Sequence, residues 1–224
     1  MDATLTSVLR AWELSASLHQ PLPAAPAEEV TQAERRLDRR LPAAFKQLYS
    51  TAAGGSFLHG NLVLEPPLPR DGEDDGMSLA TGSALLREAG WPIPHGLVTF
   101  GGNGADDHFG VWLPGDREAR ALIVQIGEVF EDASFAVIGD DLASFLTGWS
   151  AYYLLLYGDE ADVGPSLDAL GVPAQLRVQS SDLGDDDLDG LLAWASPDLP
   201  DVHPDAYERG ITADELAKIA RASA

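Results

Sequence analysis

Two stretches decide the fold, and the first is AERRLDRRLPAAFKQLYSTAAGGSF at residues 33–57. Apolar residues recur at helical spacing on both sides of Pro42. Proline suits the first turn of a helix, because the N–H that it lacks would have no partner there. Gly54 and Gly55 then provide a natural end for the second helix. The stretch therefore predicts two consecutive helices, the first starting near residue 27, followed by a change to extended chain.

The second stretch is GLVTFGGNGADDHFGVW at residues 96–112, and it predicts two strands joined by a tight turn. The strands are expected at 97–100 and 108–113, because these runs are rich in β-branched and aromatic residues. Glycine and asparagine at 101–104 tolerate the positive φ angles of a hairpin turn. The stretch therefore predicts a β-hairpin.

The rest of the chain extends this pattern in both directions. We expect an amphipathic helix over 2–19, a short strand at 62–64, a helix over 77–89, and strands at 121–126 and 134–138. Asp140 or Asp141 can cap a long helix that ends at Gly158, and Thr212 with Glu215 forms a capping box for a final helix. This order predicts an α+β fold with N-terminal helices, a central antiparallel or mixed sheet, and C-terminal helices.

Taken together, the motifs resemble the SUKH superfamily, in which an AE-containing helix precedes an LP-helix-GG segment, a glycine-rich turn and an SFxxFL-like helix. Two positions depart from that pattern, since Ala53 stands where the family has Asn and Ala105 replaces a turn glycine. The matching residues are Ala33-Glu34, Leu37, Leu41-Pro42, Phe45, Leu48-Tyr49, Gly54-Gly55, Phe100-Gly101, Asn103-Gly104, Asp106 and the run DLASFL at 141–146.

The resemblance implies an α+β domain that binds another protein and has no enzymatic activity. Most bacterial members of the superfamily are immunity proteins that silence toxins, and others are regulatory domains. It covers residues 27–156, which leaves 1–26 as an N-terminal helix with a proline-rich linker. Residues 157–224 then form an acidic and helical extension packed on the same domain.

The charge and composition of the chain limit the classes of partner that it can bind. The 224 residues carry 36 acidic and 14 basic side chains, giving a formal net charge of −22, and they include no cysteine. A field of this sign repels nucleic acid and anionic membranes and attracts basic partners. The absence of cysteine, of a signal peptide and of a membrane-length apolar run predicts a cytoplasmic protein. Acidity that serves only solubility, or a salt-adapted proteome, stays open as an alternative.

Possible metal and phosphate motifs are weak. Asp185, Asp187, Asp189 and Gly190 begin an EF-hand-like loop, but its twelfth position is Ser196, where calcium needs a bidentate Glu. The glycines at 101–104 lack phosphate-loop spacing and precede two aspartates, and His108 has no partner at metal-ligand spacing. We therefore expect no cofactor and no bound metal, and at 182–189 a solvated acidic loop or part of a partner-facing acidic patch.

The leading hypothesis is a non-catalytic immunity protein that neutralises a basic toxin domain, such as a nuclease, by occluding its active site. The alternatives are a regulatory scaffold that binds a cellular protein and, more remotely, a hydrolase with scattered carboxylates. Phe109 and Trp112 are the candidate exposed aromatic anchors beside the acidic turn. The candidate partner-binding residues are Asp106, Asp107, Phe109, Trp112, Glu131, Asp132, Asp185, Asp186 and Asp187.

Overall fold

A seven-stranded antiparallel sheet forms the centre of the protein, and its strands lie side by side in chain order. The computed structural model describes residues 4–70, 76–91, 93–105, 107–113, 121–126, 135–177, 183–199 and 211–222. The strands are β1 (Gln20–Pro21), β2 (Gly55–Phe57), β3 (Leu62–Leu64), β4 (Leu97–Gly102), β5 (His108–Trp112), β6 (Ile123–Ile126) and β7 (Ala136–Gly139). Every pairing is antiparallel, so of the two sheet types expected the purely antiparallel one is found.

Eight α-helices accompany the sheet in the described residues, which confirms the α+β class. They are α1 (Leu5–Leu14), α2 (Ala27–Leu37), α3 (Ala43–Tyr49), α4 (Gly82–Glu88), α5 (Leu142–Tyr157), α6 (Glu160–Leu170), α7 (Asp185–Ala195) and α8 (Ala213–Ala222). The first helix is shorter than expected from 2–19, because the chain tightens into a 3-10 turn at Ala16–Leu18. No helix in these ranges combines the length and the apolar run that a bilayer crossing needs.

The predicted hairpin is present as β4 and β5, and Asn103 organises its turn. The Asn103 side-chain oxygen accepts hydrogen bonds from the N–H groups of Ala105 and Asp107, at 2.9 and 3.3 Å. Its amide nitrogen donates to the Asp107 carboxylate at 2.8 Å. This is the local bonding that makes Asn favourable in turns. The hairpin therefore fixes the direction of the Asp107 carboxylate.

Two predicted helix caps are also confirmed. The Asp141 carboxylate accepts a hydrogen bond from the Ser144 N–H at 2.8 Å and so begins α5, which ends before Gly158. The Glu215 carboxylate accepts from the Thr212 N–H at 2.9 Å, while the Thr212 hydroxyl accepts from the Glu215 N–H at 3.2 Å. These bonds satisfy N–H groups that a helix start leaves without intrahelical partners.

The sheet is covered on both faces. On one face, Phe100 and Phe109 pack with residues of α1, α3, α5, α6 and α7 in the larger hydrophobic cluster. On the other face, Leu97 and Trp112 pack with residues of α4 and with Leu216 of α8 in a second cluster. Because both faces of the sheet are buried, the central strands carry apolar residues on both faces.

The helices α6 and α7 were not predicted. Pro165 lies inside α6, where it removes a helical hydrogen bond. Its presence makes the segment look unlike a helix in the sequence. The prediction of a solvated loop at 182–189 is wrong for the described residues, since Asp185, Asp186 and Asp187 form the first turn of α7. Carboxylates are favourable there because they face the positive end of the helix dipole.

Candidate functional site

Two of the candidate partner-binding residues lie inside the protein. The expectation that Phe109 and Trp112 are exposed is wrong, because their exposed fractions are 0% and 6%. Phe109 packs between Phe145 and Trp149 of α5, with ring centroids 5.0 and 4.9 Å apart. Trp112 points to the opposite face, as alternation along β5 requires. Both are core residues and neither offers an anchor to a partner.

Six of the seven acidic candidates fall into two groups, and Asp107 is separate from both. Asp106, Glu131 and Asp132 lie outside the described residues. Asp185, Asp186 and Asp187 are exposed at the start of α7. No cluster of three or more His, Asp or Glu side chains able to hold a metal ion occurs in the described ranges.

Asp107 is half-buried and is held in place from two sides. Its carboxylate oxygen Oδ2 accepts hydrogen bonds of 2.8 Å from the side-chain amides of Asn103 and Gln125. Asp107 is therefore a positioned acceptor at the end of the hairpin.

A ladder of aromatic rings runs along α5 towards the surface. Phe145, Trp149, Tyr153 and Tyr157 recur every fourth residue, so they lie on one face of the helix. Successive ring centroids are separated by 5.5, 5.3 and 6.0 Å. Phe145 is fully buried, whereas Tyr157 is 46% exposed, more than any other large apolar side chain in the described residues. The ladder connects the core with a solvent-facing aromatic end.

Two acidic segments, the β4–β5 turn and the first turn of α7, lie near this end of the ladder. Phe109, two residues after Asp107, packs on Trp149, and the Leu183 carbonyl, two residues before Asp185, accepts the Tyr152 hydroxyl at 3.5 Å. Carboxylates from the β4–β5 turn and from α7 therefore approach the same part of α5, although 78 residues separate them in sequence. The pKa of Tyr153 is raised to about 12, chiefly by burial and to a smaller extent by Tyr152, Tyr157, Asp185 and Asp107. A phenol is neutral at physiological pH, and the raised pKa does not change this, so Tyr153 is a hydrogen-bond donor there.

Asp187 belongs to the same region, because Asp185 and Asp187 both raise the pKa of Tyr152, after the larger effect of burial. His59 lies edge-on to Tyr157 with ring centroids 5.8 Å apart. We name this region the aromatic–acidic surface. It consists of His59, Asp107, Tyr153, Tyr157, Asp185 and Asp187.

Close packing fixes the elements that carry this surface. Gly104 of the hairpin turn lies against the Gly60 carbonyl, where any Cβ would collide. The adjoining Leu58 and His59 both have positive φ angles, 54° and 56°, which are unfavourable for side chains of this kind. The Trp149 indole N–H donates to the Asn61 carbonyl at 2.9 Å. The turn at 58–61 is thus locked between the hairpin and α5.

Sequence reasoning missed His59, Tyr153 and Tyr157. The four-residue spacing of the α5 aromatics was a usable signal, since it shows that one helix face carries four rings. The exposed end of that face could not be recognised without knowing where the sheet stops. For His59 the sequence offers no comparable signal.

A groove of about 660 Å³ lies elsewhere, between the proline-rich linker and the chain after β3. Pro23, Pro26, Pro66 and Pro69 line it, together with Glu29 and Arg70 among others. Glu29, Gln32 and Arg70 give this lining polar groups beside the prolines. The groove contains none of the acidic candidates.

Comparison with known proteins identifies the family to which the matched domain belongs. The model of the SMI1 / KNR4 family (SUKH-1) matches residues 24–148, which is more than half of the chain. No curated protein matches the sequence closely enough to count as a relative. The family is associated with immunity proteins and related regulators, and its domains are generally non-catalytic. The protein belongs to the SMI1/KNR4 (SUKH-1) family.

Proposed function

We propose that the protein is an immunity protein, which neutralises a basic toxin domain by covering the toxin's active site. The observation that carries the proposal is the aromatic–acidic surface, where carboxylates from two distant segments lie near half-buried Tyr153 and exposed Tyr157. Membership of a family associated with immunity proteins supports it. The net charge of −22 supports it as well, because a nuclease or similar toxin presents basic residues to its substrate.

The mechanism would be steric occlusion with electrostatic steering. Complementary charge raises association rates by orders of magnitude at low salt, and a few desolvated anchors set the rate of dissociation. An interface of roughly 1,600 Å² is sufficient for a specific complex. Surface carboxylates would occupy the positions at which the toxin binds phosphate groups. Tyr153 and Tyr157 would supply aromatic area of the kind that dominates binding energy.

A growth assay tests the immunity role. The toxin domain encoded beside this gene is expressed from an inducible promoter, with and without the protein, and the inhibition of the purified toxin is titrated in parallel. We expect growth to be restored and toxin activity to disappear near equimolar protein. Continued killing despite stable expression, or a gene neighbourhood without any toxin, would overturn the role. Selective binding of a cellular regulator would instead support a regulatory scaffold.

A further inference from the structure

We propose that the Tyr153–Tyr157 end of the aromatic ladder is an anchor site for an arginine side chain of the protein partner. The inference rests on the proposed function, because it specifies how the partner is recognised on the same surface. It adds a chemical identity to the partner group, a planar guanidinium. It also assigns the main contacts to tyrosines that sequence reasoning did not select.

The ring geometry favours a flat cation. Tyr153 and Tyr157 are nearly parallel, with an interplanar angle of 16° and centroids 6.0 Å apart. Tyr157 is 46% exposed, so part of its ring is accessible to a ligand. A guanidinium placed over a tyrosine face within about 6 Å of the centroid is attracted by the ring quadrupole. The exposed end of the stack can therefore be extended by one more planar group.

The flanking carboxylates supply the opposite charge. Asp107 lies two residues before Phe109, which packs on Trp149 with ring centroids 4.9 Å apart, one helical turn before Tyr153. Asp185 lies two residues after Leu183, whose carbonyl accepts the Tyr152 hydroxyl at 3.5 Å. Both carboxylates also raise the pKa of Tyr153, which agrees with this placement beside the stack. Asp107 is oriented by Asn103 and Gln125. Asp185 makes no ion pair within the described part of the chain. A cation entering here would meet a fixed acceptor and an unneutralised carboxylate.

Arginine fits this arrangement better than lysine. The guanidinium is planar, stacks on aromatic rings, and presents its donors in a fork that matches a carboxylate. An ammonium is a compact and strongly hydrated point charge, which gains little from a flat ring stack. Since the turn at 58–61 and the hairpin are locked together, little ordering is needed when the side chain binds.

The test uses hexa-arginine and hexalysine peptides of equal charge, titrated into the full chain at about 50 mM salt. Affinity is measured by calorimetry, and backbone amide shifts are followed by NMR. We expect hexa-arginine to bind at least about threefold more tightly than hexalysine. The largest shifts are expected at Asp107, Tyr153, Tyr157 and Asp185. Equal affinity for the two peptides, or shifts spread evenly over all acidic segments, would overturn the anchor.

Variants of Tyr157 distinguish binding to its aromatic ring from a general effect of exposed apolar surface. Tyr157→Ala should lower hexa-arginine affinity about threefold, whereas Tyr157→Phe should retain it, because the phenyl ring keeps its face. Met77→Ala is the matched control, since Met77 is 37% exposed and lies outside the aromatic–acidic surface. It should leave the affinity unchanged. An equal loss in Tyr157→Ala and Met77→Ala would refute the proposal.

A second pair of variants isolates the carboxylates. Asp185→Asn with Asp187→Asn removes two charges from the first turn of an 11-residue helix. Glu160→Gln with Asp162→Asn removes two charges from the first turn of α6, which also has 11 residues. The first pair should weaken hexa-arginine binding more than the second. Because the peptides are independent of any toxin, failure of the anchor can be distinguished from failure of the immunity role.

Discussion

Replacing Glu65 with glutamine should stabilise the protein at alkaline pH and leave its stability nearly unchanged in acid. Glu65 follows β3 and is only 8% exposed. Its Oε2 atom has no hydrogen-bond partner among the described residues, although its backbone carbonyl accepts the Tyr49 hydroxyl at 3.1 Å. Burial of the carboxyl without a partner disfavours the charged form and raises its pKa from 4.5 to about 7.

The size of the effect follows from that difference in pKa. The interval from 4.5 to 7, at about 1.4 kcal/mol per pH unit, corresponds to about 3 kcal/mol of unfolding free energy. Because the pKa of Glu65 is raised in the folded state, the wild-type protein keeps this unfolding free energy in full below pH 4.5. It loses this free energy as the pH rises through 7 and the buried carboxyl becomes charged. Glutamine stays neutral, so Glu65→Gln avoids the loss and should gain up to about 3 kcal/mol at pH 8.

Urea denaturation followed by circular dichroism at pH 4, 6 and 8 measures the effect on both proteins. The difference between wild type and variant removes contributions that they share, such as that of His19. Burial lowers the pKa of His19 from 6.5 to about 4, so its contribution is lost as the pH falls. A stability difference that does not change with pH, in a folded variant, would refute the reasoning about Glu65.

Three further changes test the packing, each by urea denaturation. Gly82→Ala should destabilise by about 1–3 kcal/mol, because its Cβ would lie 2.5 Å from the Thr99 hydroxyl oxygen, and a neutral result would mean that α4 shifts freely. Asp141→Ala should lose about 1 kcal/mol with the cap on the Ser144 N–H, and Asp141→Asn should retain most of it. Leu216→Ala should lose about 2–5 kcal/mol if α8 covers the sheet as described, and a loss below 0.5 kcal/mol would contradict that packing.

The elements with local signals were predicted correctly from the sequence. The hairpin was recognisable because Asn103 and its neighbouring glycines determine a turn through contacts within five residues. The α5 start was recognisable because Asp141 caps it through a residue three positions away. In both cases the deciding interaction is short in sequence, so composition and spacing carry it.

The errors concern properties that depend on distant packing. Phe109 and Trp112 were expected at the surface because acidic residues adjoin them, but coverage of both sheet faces buries them. That coverage comes partly from α7 and α8, which lie beyond the matched family domain. The meeting of Asp107 and Asp185 at Tyr153 likewise depends on how α5, α7 and the hairpin pack. No local pattern encodes such a meeting.

The proposed function requires that a basic protein partner binds at the aromatic–acidic surface. Its most direct test is the affinity of the purified toxin domain encoded beside this gene, measured by calorimetry at about 50 and 500 mM salt. We expect tight binding that weakens with salt, and a loss of about tenfold or more for Asp185→Asn with Asp187→Asn. The control, Glu160→Gln with Asp162→Asn, should lose about twofold at most. Equal losses in the two double variants, or no binding by the wild-type protein, would contradict the account.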